Sequence, residues 1–144
     1  MDTKQLPTAG LVVINDGKLL LAYSKNKNAW YLPGGKTEAG ETALHSLIRE
    51  IKEELNLDIE PHELTYYGHI TAPAYGEAPH VLMEQECFLY AIAAPIRPGN
   101  EIGAVAYFDE AAYKQQPAQV PGVLQLFERL KQDALIHSGG ESLT

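Results

Sequence analysis

The sequence predicts an α/β sandwich with a central mixed β-sheet in a single domain. Apolar runs typical of strands lie on both sides of one helical pattern, and a second helical pattern follows near the end of the chain. The length of 144 residues suits one domain with a sizeable core. Hydrophobic residues make up 45% and charged residues 21%, close to the globular average, which excludes a disordered chain. We expect the domain to span residues 1–137 and residues 138–144 to form a mobile tail.

Strands are expected to begin the fold. The runs at residues 8–15 and 17–24 are apolar and contain β-branched residues, and the Asn-Asp-Gly sequence that joins them is typical of a β-hairpin turn. A short strand at residues 30–33 ends in a proline, directly before the glycine pair at 34–35.

A helix is predicted from about residue 41 to residue 55. At 100° per residue its leucines and isoleucines fall within one arc, which indicates a face buried on a sheet. The residues of this arc are Leu44, Leu47, Ile48, Ile51 and Leu55.

The second half of the chain adds strands and a last helix. Strands are predicted at residues 64–71, 81–94 and 104–108, with a turn at 97–100. Residues 123–135 carry apolar side chains near one helical face. Strands on both sides of the first helix favour a mixed sheet.

Charge and cysteine content restrict the partners and the compartment. The formal net charge of −8 disfavours binding to nucleic acid or to an anionic membrane, so a phosphate-bearing ligand would need local neutralisation. The single cysteine, Cys87, cannot form an internal disulfide and lies in an apolar run, which favours a reducing compartment. No apolar leader or membrane-length segment is present in the sequence, so we expect a cytoplasmic protein.

Three acids of the first helix share one surface. Glu50, Glu53 and Glu54 are related by helical spacings of three and four residues, and they lie away from the apolar arc. Their mutual repulsion would be useful around a cation such as Mg²⁺, which prefers oxygen ligands and commonly bridges carboxylates to phosphates. Arg49 could orient one of these acids or contact phosphate. On their own, however, such acids fit a solvated helix face better than a metal site.

The register of these acids with the residues before them is more specific. The segment resembles the signature of the Nudix hydrolase superfamily: Gly, five residues, Glu, seven residues, Arg-Glu, an aliphatic residue, any residue, Glu-Glu, any residue, Gly, an aliphatic residue. The matching positions are Gly35, Glu41, Arg49, Glu50, Ile51, Glu53, Glu54 and Leu57, over 23 residues. The second glycine is replaced by Asn56. Asparagine readily adopts the left-handed conformation found just beyond a helix, so we expect the turn to be conserved and Asn56→Gly to raise stability without changing turnover.

The resemblance implies a set of site residues. Metal, usually Mg²⁺ with Mn²⁺ as an alternative, would bind Glu50, Glu53, Glu54 and the carbonyl of Gly34. Gly35 and Glu41 would support this site, and Arg49 would orient the carboxylates. Family members take the general base either from the signature helix or from a later loop, so Glu50, Glu53 and Glu101 are all candidates, and Glu101 could equally be a solvated loop acid.

The resemblance also implies an activity, the Mg²⁺-dependent hydrolysis of a nucleoside diphosphate linked to another group. A nucleoside triphosphate or modified nucleotide is the first expectation; ADP-ribose, a nucleotide sugar or a dinucleoside polyphosphate are alternatives. A non-catalytic nucleotide sensor is less favoured, because every acid of the signature is present. Trp30, Tyr31 and Tyr75 could stack on a base, although aromatics at strand ends often pack in a core. Related enzymes are often homodimers, so a homodimer is also expected.

Overall fold

The strands form two sheets in the computed structural model, which describes residues 2–136. The first sheet is mixed, because β1 and β7 run parallel while the other pairs are antiparallel. Its strands, in the order β5-β1-β7-β6, are β5 (Gly34–Lys36), β1 (Lys4–Val12), β7 (Val81–Leu89) and β6 (Thr65–Pro73). The mixed sheet predicted from the sequence is therefore confirmed.

The second sheet is antiparallel and is organised around β3, which pairs with each of the other strands. Its strands are β2 (Ile14–Asn15), β3 (Lys18–Ser24), β4 (Ala29–Tyr31) and β8 (Ile102–Phe108). The predicted hairpin is present between β2 and β3, with Asp16 at φ 55° and Gly17 at φ 74°. Only two residues precede this turn in the second sheet, because the chain leaves the first sheet after Val12.

The first helix, α1 (Ala43–Leu55), packs on one face of the first sheet. It begins where the Thr42 side chain accepts a hydrogen bond from the backbone N–H of His45. Leu47, Ile51 and Leu55 are fully buried in a cluster that includes β1 and β7 side chains. The apolar arc read from the sequence is thus the buried face of the helix.

Two helices, α2 (Glu110–Tyr113) and α3 (Pro121–Gln132), contribute to a second cluster, on the other side of the first sheet. Leu126, Phe127 and Leu130 of α3 are fully buried there. Cys87 is also buried in this cluster, as its apolar context suggested. Helices therefore cover strands from both sides, which confirms the α/β sandwich.

Several boundaries differ from the sequence-based prediction. Strand β5 and the 3-10 helix Pro61–Glu63 were not predicted from the sequence. The first begins with a glycine pair and the second with a proline, and both features are typical of turns. Strand β7 ends at Leu89, and α3 ends at Gln132. Within residues 2–136, no helix is long and apolar enough to cross a membrane. The expected domain boundary at 137 and the tail at 138–144 lie outside the described residues.

Candidate functional site

The glycine pair lies directly against two acids of α1. The backbone N–H of Gly34 donates to Oε1 of Glu54 at 3.0 Å. A Cβ atom placed on Gly35 would lie 2.3 Å from Oε2 of Glu50, so only glycine allows this approach. This arrangement arises because β5 pairs with β1 while α1 packs over both strands.

Arg49 is fixed by several oxygen atoms. Its Nε and Nη2 donate to the two carboxylate oxygens of Glu41 at 2.8 and 2.9 Å, and Nη1 donates to Glu50 at 2.9 Å. Nη2 also donates to the carbonyl of Lys36 at 3.2 Å. The hydrogen bond from Arg49 lowers the pKa of Glu41 to about 2, so Glu41 is charged at neutral pH. With its nitrogens so engaged, Arg49 is placed to position carboxylates.

Glu54 is the most buried acid of the site. Burial raises its pKa to about 8; the hydrogen bond from Gly34 opposes this rise, and the charges of Glu50, Glu101 and Glu53 add to it. Burial also raises the pKa of Glu50, and there the Glu53 and Glu101 charges act in the same direction. Repulsion between neighbouring carboxylates is therefore a property of this site.

Glu101 approaches the helix through the loop before β8. The backbone N–H of Gly99 in this loop donates to the carbonyl oxygen of Glu54 at 2.8 Å, and the Asn56 side chain donates to the carbonyl of Arg97. These bonds hold the loop on the end of α1. Burial is the main cause of the raised pKa of Glu50 and of Glu54, and the charge of Glu101 adds to both.

The acids fit a divalent cation by their chemistry. Within residues 2–136, no three His, Cys, Asp or Glu side chains already surround one ion position. Glu50 accepts a hydrogen bond from Arg49 and Glu54 accepts one from the Gly34 amide, and each carboxylate keeps further lone pairs for a cation. Burial is the main cause of both raised pKa values, and a cation would offset the carboxylate repulsion that adds to it. Hard cations prefer such oxygen donors.

A pocket of about 170 Å³ is lined by all three residues of β5, Gly34, Gly35 and Lys36. Tyr31 and Tyr75 line it, with ring centroids 6.0 Å apart. Trp30 instead packs between Tyr23 and Phe108, and it does not line this pocket. Sequence reasoning missed the other lining residues, which come from distant strands and loops: Leu6, Thr8, Lys27, Leu32, Lys36, Glu77, Met83, Gln85 and Val120.

The fold and the site together define an α/β sandwich protein with a carboxylate-bearing helix against a glycine pair. The family to which the chain belongs is the NUDIX domain family, whose sequence model matches residues 4–130. The resemblance seen in the sequence is thereby confirmed.

Individual relatives agree with this assignment. The chain is 40% identical over 63 residues to an RNA pyrophosphohydrolase of Marinomonas sp. (strain MWYL1), a match that covers 43% of this chain and 38% of the relative. It is 32% identical over 101 residues to an ADP-ribose pyrophosphatase of Methanocaldococcus jannaschii, covering 68% and 58%. The matches therefore span less than two thirds of these curated relatives. The fold is similar to that of a MutT protein from Methanosarcina mazei Go1, with a TM-score of 0.73, 17% identity, and coverage of 93% and 98%.

Asn56 adopts the left-handed conformation expected at the signature's second glycine, with φ 56° and ψ 39°. Because its side chain also bonds to Arg97, Asn56→Gly should change the free energy of unfolding by less than about 1 kcal/mol, as backbone freedom offsets the lost hydrogen bond. Asn56→Ala loses the side-chain hydrogen bond and also places in the left-handed conformation a residue that rarely adopts it. The free energy of unfolding, measured by urea denaturation, should therefore fall by about 1–2 kcal/mol. Equal stability of the two variants would contradict this account of the helix end.

Proposed function

We propose that this protein is a divalent-metal-dependent pyrophosphohydrolase that cleaves a phosphoric anhydride bond in a nucleoside diphosphate linked to another group. The observation that carries the proposal is that Glu50, Glu53 and Glu54 share one surface of α1 in the register of the family signature, with Glu50 and Glu54 against the glycine pair. The names of the relatives, an RNA pyrophosphohydrolase and an ADP-ribose pyrophosphatase, support the class of reaction.

The site chemistry suits an anionic substrate. Glu50, Glu53, Glu54 and the carbonyl of Gly34 would hold Mg²⁺, for which Mn²⁺ could substitute. When bound, the ion would neutralise charge that develops on the phosphoryl oxygens and would promote ionisation of the attacking water. Arg49 would act as a positioning residue, because it already holds the Glu50 carboxylate at 2.9 Å.

Three acids are candidates for the group that accepts the proton of the attacking water. Glu50 is partly buried and burial raises its pKa, which makes its carboxylate a stronger proton acceptor. Glu53 is more exposed, with 44% of its side chain accessible, and lies 3.7 Å from Arg49. Glu101 is carried by a loop that contacts the end of α1, which supports its candidacy over a purely solvated role.

We propose a small nucleotide as the substrate. A nucleoside triphosphate or modified nucleotide is the first candidate, and ADP-ribose is the alternative favoured by the match to the Methanocaldococcus jannaschii protein. The net charge of −8 disfavours extended contact with an RNA backbone.

A product-release screen tests the function. Purified protein would be incubated with nucleoside triphosphates, modified nucleotides, ADP-ribose, nucleotide sugars and dinucleoside polyphosphates, each with Mg²⁺ and with a chelator, and products would be measured by chromatography. We expect release from at least one compound with Mg²⁺ and none with the chelator. Binding without release would favour a nucleotide sensor, and release that persists in chelator would overturn the metal-dependent mechanism.

A further inference from the structure

The loop before β8 holds Glu101 in a tight turn that is anchored on the second sheet. The backbone N–H of Lys25, directly after β3, donates to the carbonyl of Glu101 at 2.9 Å. The turn is closed by the N–H of Ile102, which donates to the carbonyl of Gly99 at 3.0 Å, and Asn100 within it is left-handed, with φ 50°. The position of this turn relative to α1 therefore depends on how the residues before it are held.

The second anchor of this loop is the C-terminal end of α1. The last carbonyl groups of an α-helix have no partner inside the helix. Here the backbone N–H groups of Arg97 and Gly99 donate to two of these carbonyls, those of Leu55 at 3.0 Å and of Glu54 at 2.8 Å. Since Glu54 belongs to the candidate site, the loop is attached to the turn of α1 that carries the site acids.

Asn56 adds a bond that the glycine of the signature could not make. Its backbone N–H donates to the carbonyl of Lys52 at 3.1 Å and ends the helix, while its Nδ2 donates to the carbonyl of Arg97. A glycine would keep the left-handed backbone but has no side chain that could reach the loop. One residue therefore both ends α1 and binds the loop that carries Glu101.

Gly99 shows how closely the loop approaches the helix. A Cβ atom on this residue would lie 2.5 Å from the carbonyl oxygen of Glu53 and 3.2 Å from Nδ2 of Asn56. The first of these is a backbone atom of α1, so no side-chain rotation could relieve the contact. A larger residue would move the loop away from α1, and Glu101, in the same turn, would move with it.

From these contacts we infer that Asn56 is a positioning residue: its side chain holds the loop on α1 and thereby places Glu101 beside the acids of the helix. The inference rests on the proposed function for the reaction that Glu101 serves. It also changes the expectation for Asn56→Gly. The backbone conformation alone predicts unchanged turnover, whereas loss of the side-chain bond predicts a slower enzyme that is still folded.

A double-mutant cycle of Asn56→Gly and Glu101→Gln tests whether Asn56 acts through Glu101. The values of kcat and KM would be measured with Mg²⁺ for the wild type, both single variants and the double variant. We expect Asn56→Gly to lower kcat about tenfold and to leave KM within about twofold, because a displaced group affects the reaction more than substrate binding. In the Glu101→Gln background the same change should lower kcat less than about twofold. An equal loss in both backgrounds would indicate a purely structural role and would overturn the inference.

Hydrogen exchange provides a second measurement, which does not require turnover. The amide of Gly99 is bonded to the carbonyl of Glu54, so its exchange rate reports release of the loop from α1. We expect Asn56→Gly to increase this rate about fivefold, the effect of one hydrogen bond. An unchanged rate would overturn the inference. Faster exchange in a protein that hydrolyses none of the compounds would keep Asn56 as the residue that holds the loop and would reject the proposed function.

Two further variants complete the design. Gly99→Ala should also release the loop and should lower kcat by at least the factor measured for Asn56→Gly. Asp16→Gly is the matched control: it replaces another left-handed residue, at φ 55°, in the hairpin turn at the opposite end of β3 from Lys25. It should leave kcat and the exchange of the Gly99 amide unchanged. Full kcat in Gly99→Ala, or an equal loss in Asp16→Gly and Asn56→Gly, would overturn the inference.

Discussion

Glu53→Gln and Glu54→Gln are each expected to reduce metal-dependent hydrolysis by at least about 100-fold while leaving the domain folded. Glutamine keeps the size of the side chain but removes the negative charge that a divalent cation needs. Glu54, with its pKa raised to about 8, is largely protonated at pH 7 without metal, so a neutral amide suits its buried position. It can also still accept the Gly34 hydrogen bond.

The stability of both variants separates a metal role from a folding role. Glu53 is 44% exposed at its side chain, so we expect a change within about 0.5 kcal/mol by urea denaturation. The free energy of unfolding of Glu54→Gln should stay within about 1 kcal/mol of the wild-type value. Glu128→Gln, on the exposed side of α3, is the matched control and should keep full turnover. Wild-type rates in either Glu53→Gln or Glu54→Gln would contradict the assignment of these acids.

The part of the site that could be predicted from the sequence is local. The period of the α-helix alone places Glu50, Glu53 and Glu54 on one surface, opposite Leu47 and Ile51. The left-handed end at Asn56 follows equally from a preference of that residue type. Neither inference depends on which strands pair with each other.

The pocket could not be predicted because it depends on strand pairing between distant segments. Thr8 and Gln85 are adjacent only because β1 and β7 run parallel in one register, and nothing in either strand specifies that register by itself. Neighbouring aromatics show the same limit. Trp30 and Tyr31 point to opposite faces of β4, so one packs against Phe108 and the other lines the pocket.

The second prediction with a large effect concerns the glycine pair. Alanine is expected to reduce stability at Gly34 and turnover at Gly35. A Cβ on Gly34 would lie 2.0 Å from the carbonyl oxygen of Ala9, and the φ of +138° is unfavourable for alanine. Both atoms involved are fixed to the backbone of paired strands, so no side-chain rotation relieves the clash. Gly34→Ala should therefore lower the free energy of unfolding by about 3 kcal/mol or more.

At Gly35 the obstacle is the end of a flexible side chain. A Cβ there would meet Oε2 of Glu50 at 2.3 Å, which that carboxylate can relieve by turning away. Gly35→Ala should cost less than about 1 kcal/mol of stability but reduce turnover about tenfold or more, because Glu50 leaves the position in which Arg49 holds it.

Urea denaturation and steady-state turnover of the same samples distinguish these outcomes. Gly40→Ala serves as the control for backbone strain alone, since Gly40 has φ +85° and the methyl group of an alanine there would have no described atom within 4 Å. It should lose about 1 kcal/mol of stability and keep its turnover per folded molecule. If Gly35→Ala retained full turnover, the close contact between β5 and Glu50 would have no part in catalysis; if it unfolded like Gly34→Ala, Glu50 would be too rigidly held to turn. A stable, slow Gly35→Ala enzyme would show that this glycine serves the placement of the Glu50 carboxylate.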